Sequence, residues 1–170
     1  NIVFGYYAAN ALTSSQNNVV IGYKAANQTT TQGRHVIIGS KACEHNALGE
    51  ANVFIGYEAG FRANGAERNV GVGSYCFNSN SLSSAAKNTG IGDFVFQNLT
   101  TGDDNTACGG RSGMTITTGS NNTCLGYGAE PSSATASNEV IVGNSSVTKF
   151  SIPGLNFSLK DTTATNDYVL

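Results

Sequence analysis

The stretch NNVVIGYKAANQTTTQGRHVIIGSKACEHNALGEANVFIGYEAG, from Asn17 to Gly60, states one phrase three times. Asn18-Val-Val-Ile-Gly22 returns as His35-Val-Ile-Ile-Gly39 and again as Asn52-Val-Phe-Ile-Gly56. A phrase restated at a fixed interval decides the fold, because each copy must occupy an equivalent structural place. Along the whole chain the closing glycine falls at Gly5, Gly22, Gly39, Gly56, Gly73, Gly92, Gly109, Gly126 and Gly143. Successive gaps are 17, 17, 17, 17, 19, 17, 17 and 17 residues. Nine copies cover residues 1–150, and the tail 151–170 falls outside the repeat.

With the glycine as position 0, the other columns carry structural information. Position −4 is Asn in seven of nine copies, with His35 and Glu139 as the exceptions. Position −3 is always Val, Ile or Thr, and position −1 is always apolar. That is a short β-branched strand bounded by Asn and Gly. Position +3 is mostly small (Ala8, Ala25, Ala42, Ala59), and the rest of each unit is Ser, Thr, Asn and Gly, the chemistry of turns.

Composition narrows the class. There are 21 Gly, no Trp, one Met and 12% charged residues in 170, with a net charge of −2. No basic surface invites nucleic acid or anionic lipid. No apolar run approaches the roughly 18 residues of a membrane span, so membrane insertion is not expected. Helix is excluded by recurrent Gly and the absence of 3.6-residue periodicity. Disorder is excluded by 39% hydrophobic residues held in register. The chain opens inside a repeat, without Met or a signal peptide, so it reads as a fragment of something longer.

What remains is an all-β parallel β-solenoid of nine rungs, each about 17 residues and stacked at about 4.8 Å, a rod on the order of 40 Å long. Stacking in register places the Asn side chains above one another as a hydrogen-bonded ladder, and Asn also suits the left-handed conformation of a turn. In a strand, −1 and −3 face one way and −2 the other. Position −2 reads Val3, Val20, Ile37, Phe54, Gly71, Gly90, Ala107, Cys124 and Ile141, so the strand is apolar or small on both faces. One face can fill the coil. The other requires a cover, and sister copies of the chain are the economical one.

Asn88-Thr-Gly-Ile-Gly92, Asn105-Thr-Ala-Cys-Gly109 and Asn122-Thr-Cys-Leu-Gly126, in units such as TTGDDNTACGG and TTGSNNTCLGYGA, carry a family likeness. Asn-x-x-x-Gly with a small residue three further on is similar to the head repeats of YadA-like trimeric autotransporter adhesins. It more closely resembles the N-T-x-x-G repeats of bacteriophage tail fibres and related virion fibres. The likeness covers about 150 of the 170 residues. It implies a homotrimer of left-handed β-rolls side by side about a fibre axis. The adhesin heads use somewhat shorter rungs than these. SNEVIVGNSSVTKFSIPG looks like the place where such repeats hand over to a following domain, and FSLKDTTATNDYVL reads as an extended C-terminal connector.

A search for chemistry gives little. His35 and His45 lack partners at metal-ligand spacing, and no catalytic set, metal site or cofactor site is expected. If the His35 column approached a threefold axis, three copies could hold an ion; a hydrogen-bonded turn residue is the simpler reading. Glu50, Glu67, Asp103 and Asp104 read as solvated corner charges, with Asp103-Asp104 a bare candidate for a cation. Cys43, Cys76, Cys108 and Cys124 never stack as a pair, Cys108 and Cys124 pointing to opposite faces. They read as small core residues of a protein assembled in a reducing cytoplasm. The sequons at Asn27, Asn98, Asn121, Asn144 and Asn156 are expected by accident in so Asn-rich a chain.

The binding candidates are the rings just past the glycine: Tyr6, Tyr7, Tyr23, Tyr57, Tyr75, Phe94 and Tyr127. Such rings either stack on sugar faces or stack rung on rung as part of a second strand. The 19-residue unit, with CFNSNSLSSAAK over 76–87, carries a two-residue insertion that marks either a binding loop or a bulge.

The structural repeat itself (Asn18, Gly22, Asn52, Gly56, Asn88, Gly92, Asn105, Gly109, Asn122, Gly126) is a scaffold. The sequence therefore points to a non-enzymatic shaft or head segment of a trimeric virion fibre, assembled in the host cytoplasm and serving host attachment, with a host surface glycan or receptor as partner. A bacterial surface adhesin head is the second reading. An ice-binding solenoid is the remote one, since Thr29–Thr31, Thr100, Thr101, Thr117 and Thr118 are not expected to keep column.

Overall fold

The computed structural model describes residues 1–29, 33–45, 47–79 and 82–151; the connector expected over 151–170 thus lies outside it except for Ser151. Nine three-residue strands lie in one parallel sheet in strict chain order. They are β1 (Ile2–Phe4), β2 (Val19–Ile21), β3 (Val36–Ile38), β4 (Val53–Ile55), β5 (Val70–Val72), β6 (Thr89–Ile91), β7 (Thr106–Cys108), β8 (Thr123–Leu125) and β9 (Val140–Val142). Each pairs with the next without slip, Val20 over Ile37, Ile37 over Phe54 and so on. The fold is a parallel β-solenoid with no helix among the described residues. Each rung holds one strand; the segment after the glycine is a run of turns, not the second strand that ring stacking suggested.

Side-chain direction follows the alternation. Position −2 points into the coil: Val20, Ile37, Phe54, Ala107 and Cys124 are buried. Positions −3 and −1 point out, half-buried or exposed.

The interior is closed by +3, +4 and +7, through Ala25, Cys43, Phe77, Phe96, Leu82, Leu99 and Ile116. Large and small residues alternate between two facing columns. Phe54 at −2 meets Gly60 at +4, where an added Cβ would lie 2.8 Å from the ring. One rung on the sizes are exchanged: a Cβ on Gly71 would lie 2.8 Å from Phe54 and 2.9 Å from Phe77, and, in the rung after that, one on Gly90 would lie 2.9 Å from Phe77. The rings of Phe54, Phe77 and Phe96 form a spine with centroids 5.6 and 5.1 Å apart.

The −4 column forms the expected ladder. Asn88 Oδ1 accepts both the main-chain N–H of Asn105 (2.9 Å) and its Nδ2 (3.0 Å), and Asn105 Oδ1 receives the same pair from Asn122 at 3.0 Å each. The remaining Nδ2 donor reaches a carbonyl fourteen residues ahead, as from Asn88 to Gly102 at 2.9 Å. These side chains are buried, so their polar groups must be paired internally. In the turn that leads into each strand, the left-handed residue is not the ladder Asn but the one before it: Asn17, Arg34, Ala51, Arg68, Lys87, Asp104, Asn121 and Asn138 all have positive φ. The ladder Asn itself is kept for hydrogen bonding.

The glycine column is required twice over. At Gly56 φ is +143°, and a Cβ would lie 2.3 Å from the Gly73 carbonyl oxygen in the next rung. The chain turns there by bringing backbone directly onto backbone.

The two extra residues of the 19-residue unit fall between Phe77 and Leu82. Phe77 N–H donates to Val95 O, eighteen on, while Ser83 N–H donates to Thr100 O, seventeen on. The ladder crosses this rung undisturbed, with Asn88 N–H on Asn69 Oδ1 at 2.9 Å.

Candidate functional site

Past the glycine the strand alternation ends in a turn whose +2 residue is left-handed, as at Tyr7, Tyr75 and Phe94, and the +1 and +2 side chains both emerge exposed or half-buried. Here lie the seven candidate rings, in two groups and a single. Tyr6 stacks parallel to Tyr23 with centroids 6.0 Å apart, and Tyr7 stands edge-on to Tyr6 at 4.4 Å. Tyr75 stacks on Phe94 at 4.8 Å, and Tyr57 stands edge-on to Tyr75 at 5.3 Å, with the planes 79° apart. Ser40 and Lys41 interrupt the series between the groups. Tyr127 lies apart over Gly110, its ring 3.5 Å from where a Cβ would stand.

Stacking along the rod occupies one face of each stacked ring. The perpendicular rings, Tyr7 and Tyr57, present planes of another orientation, so each group forms a corner.

The polar surroundings of the two corners differ. Beside the first, Lys24 Nζ sits 5.5 Å from the Tyr23 centroid and 3.1 Å from the buried Glu44 carboxylate, which raises its pKa. Beside the second, Glu58 pairs with Lys41 at 3.6 Å and accepts Asn78 Nδ2 at 3.2 Å. A hydrogen bond to Glu58, with burial adding to it, pushes the Tyr57 hydroxyl up to about 12. Asp93 is exposed next to Phe94.

The sequence did not single out Glu58 or Asn78. The available signal was that Asn78 belongs to the one unit of irregular length. A shallow hollow of about 240 Å³ lies among Ser14, Gln16, Asn17, Gly33, Arg34 and Glu50, and none of the rings lines it.

The other candidates resolve as follows. His35 is buried within the ladder: its N–H donates to Asn18 Oδ1 at 2.9 Å and its Nδ1 accepts the Asn52 N–H at 3.2 Å. It is a turn residue, and a column buried in this way cannot meet sister copies at an axis. The corner carboxylates do more than sit in solvent. Glu50 pairs with Arg34 at 3.0 Å, Glu67 pairs with Arg68 at 2.9 Å, and Asp103 Oδ1 accepts the Ala86 N–H at 2.7 Å.

Cys43, Cys76 and Cys124 are core residues, with burial pushing the Cys76 thiol up to about 12 and the Cys124 thiol to about 11. Cys108 departs from that expectation; it is exposed, on the outward face. Some threonines do keep column: Thr100 N–H donates to Thr117 O at 2.9 Å, and Thr89, Thr106 and Thr123 pair in register on the outward strand face. No three His, Cys, Asp or Glu gather to hold a metal ion among the described residues.

Against this geometry, no family model matches the chain, and neither a curated protein nor a solved structure matches it.

Proposed function

We propose that the chain is a rigid segment of a trimeric virion fibre, in which three left-handed β-rolls lie side by side and serve host attachment. The observation that supports this is the outward strand face. Its −3 and −1 positions are apolar or Thr in every rung, and in the single chain Phe4 is 75%, Ile91 47%, Leu125 40% and Val140 75% exposed. A contiguous apolar face running the length of a rod calls for a partner. A second copy of the same rod supplies a matching apolar face at the same spacing.

The role is mechanical. Nine rungs tied by main-chain bonds and an amide ladder resist bending and proteolysis, and the rings beside the shared face remain available for a surface glycan. Free thiols at all four cysteines support assembly in a reducing compartment. Sedimentation equilibrium at micromolar concentration tests the reading. The expected mass is three times the 17.5 kDa of one chain, and a folded monomer would overturn it.

A further inference from the structure

We propose that Tyr57, Tyr75 and Phe94, with Glu58, Asn78 and Asp93, form a saccharide subsite on the fourth to sixth rungs that takes a neutral glycan. This deepens the glycan contact proposed above, and rests on that reading only in taking a glycan as the class of ligand.

A pyranose has an apolar C–H face bordered by hydroxyls. A site for it needs an exposed ring plane with fixed hydrogen-bonding groups beside it. Tyr57 supplies the plane: it stands at 79° to Tyr75, so the Tyr75–Phe94 stack does not cover it, and it is 39% exposed. Tyr75 and Phe94 extend the apolar floor along the rod by one further ring step of 4.8 Å.

Glu58 supplies the fixed acceptor. Its carboxylate is held by Lys41 at 3.6 Å and Asn78 Nδ2 at 3.2 Å, and its side chain is only 16% exposed. Groups already ordered by the protein lose little freedom when a ligand arrives. Asn78 adds an amide capable of both donating and accepting, and it comes from the irregular rung. That rung's turn thus reaches back twenty residues to touch the acidic partner of the aromatic corner.

Charge selects the ligand class. Lys41 is engaged by Glu58, while Asp93 stands exposed beside Phe94. Arg111 follows on the next rung, its main-chain N–H on Asp93 O at 2.8 Å. The nearby charges (Lys41 and Arg111 against Glu58 and Asp93) therefore balance and leave no net positive charge to attract sialylated or phosphorylated sugars. The Tyr6, Tyr7 and Tyr23 corner lacks these features: Lys24 lies over the Tyr23 ring, and the Glu44 carboxylate that pairs with Lys24 is buried.

The test passes the folded protein over immobilised maltose-, cellobiose-, lactose- and chitobiose-type oligosaccharides and their sialylated counterparts, with sedimentation mass measured on the same samples. Retention on at least one neutral member is expected, falling tenfold or more in Phe94→Leu and in Tyr57→Leu. Tyr23→Leu is expected to leave it unchanged, and Asp93→Lys to admit sialylated members. The leucine variants keep apolar bulk, and their far-ultraviolet circular dichroism confirms that they fold.

No retention on any neutral member, retention confined to sialylated ones, or equal loss in Tyr23→Leu overturns the subsite. A trimer without retention sinks the subsite alone. A monomer with ring-dependent retention sinks the fibre reading alone.

Discussion

Replacing Asn88 by alanine removes the acceptor for two donors of Asn105, its main-chain N–H and its Nδ2. Both lie in a buried column, so the expected loss is about 1–3 kcal/mol, read as a lower urea midpoint and as faster exchange of the Asn105 amide. Unchanged exchange there would mean that the ladder is decorative. Gly56→Ala places a methyl 2.3 Å from the Gly73 carbonyl at a φ of +143°. The expected result is loss of the fourth and fifth rungs as a unit, visible in hydrogen exchange, because neither the backbone nor the carbonyl can yield cheaply. The repeated Asn and Gly were legible from spacing alone. Which residue carries the left-handed turn was not, because the column before the ladder holds Asn, Arg, Ala, Lys and Asp in turn. A conformation that several side chains tolerate leaves no consensus letter.

At the scale of the element, the facing −2 and +4 columns share one volume. Gly71→Ala crowds Phe54 and Phe77, whose ring carbons would lie 2.8 and 2.9 Å from the new methyl, at a cost of about 1–3 kcal/mol. With Phe77→Leu already in place, that cost is expected to shrink. A coupling below about 0.5 kcal/mol in the double-mutant cycle would show the columns to be independent. The strands, their order and their register were readable because a period fixes all three together. The exchange of Phe and Gly between columns was not readable, since it breaks the repeat locally while preserving total volume across the coil. The single irregular interval likewise announced an insertion but not its contact with Glu58, which depends on where a turn leans in space. The last rung carries its own device: Glu139 replaces the ladder Asn and accepts the main-chain N–H of Ser132 at 2.7 Å as well as its hydroxyl. Those bonds lower the Glu139 pKa from 4.5. A carboxylate whose pKa is depressed by folding lends stability above its unfolded value and loses it as pH falls through the folded one. The ninth rung is therefore expected to fray below about pH 4.5 before the others do, and amide exchange of Val140–Val142 measured across that range checks it.

For the whole molecule, Cys108 is a built-in reporter on the outward face. In an isolated chain a thiol reagent reaches it while Cys43, Cys76 and Cys124 stay buried. In the proposed trimer it is covered as well, so native protein is expected to label slowly at all four positions. Ile38→Lys combined with Ile55→Lys, which puts charge on the shared face, is expected to release monomer in which one thiol labels fast. Fast labelling of Cys108 in the unaltered protein would contradict the proposed interface. The amide ladder has a further consequence along the rod. Its side-chain bonds all point the same way, from each Nδ2 back to the preceding Oδ1, and run unbroken from Asn52 to Asn122. At His35 an imidazole nitrogen takes one bond from Asn52 where an amide oxygen would take two. The seams on either side of His35 and the one before Glu139 thus hold a single ladder bond each. Under tension applied along the fibre these are where the rod is set to part, and the segment from Asn52 to Asn122 travels as one intact piece.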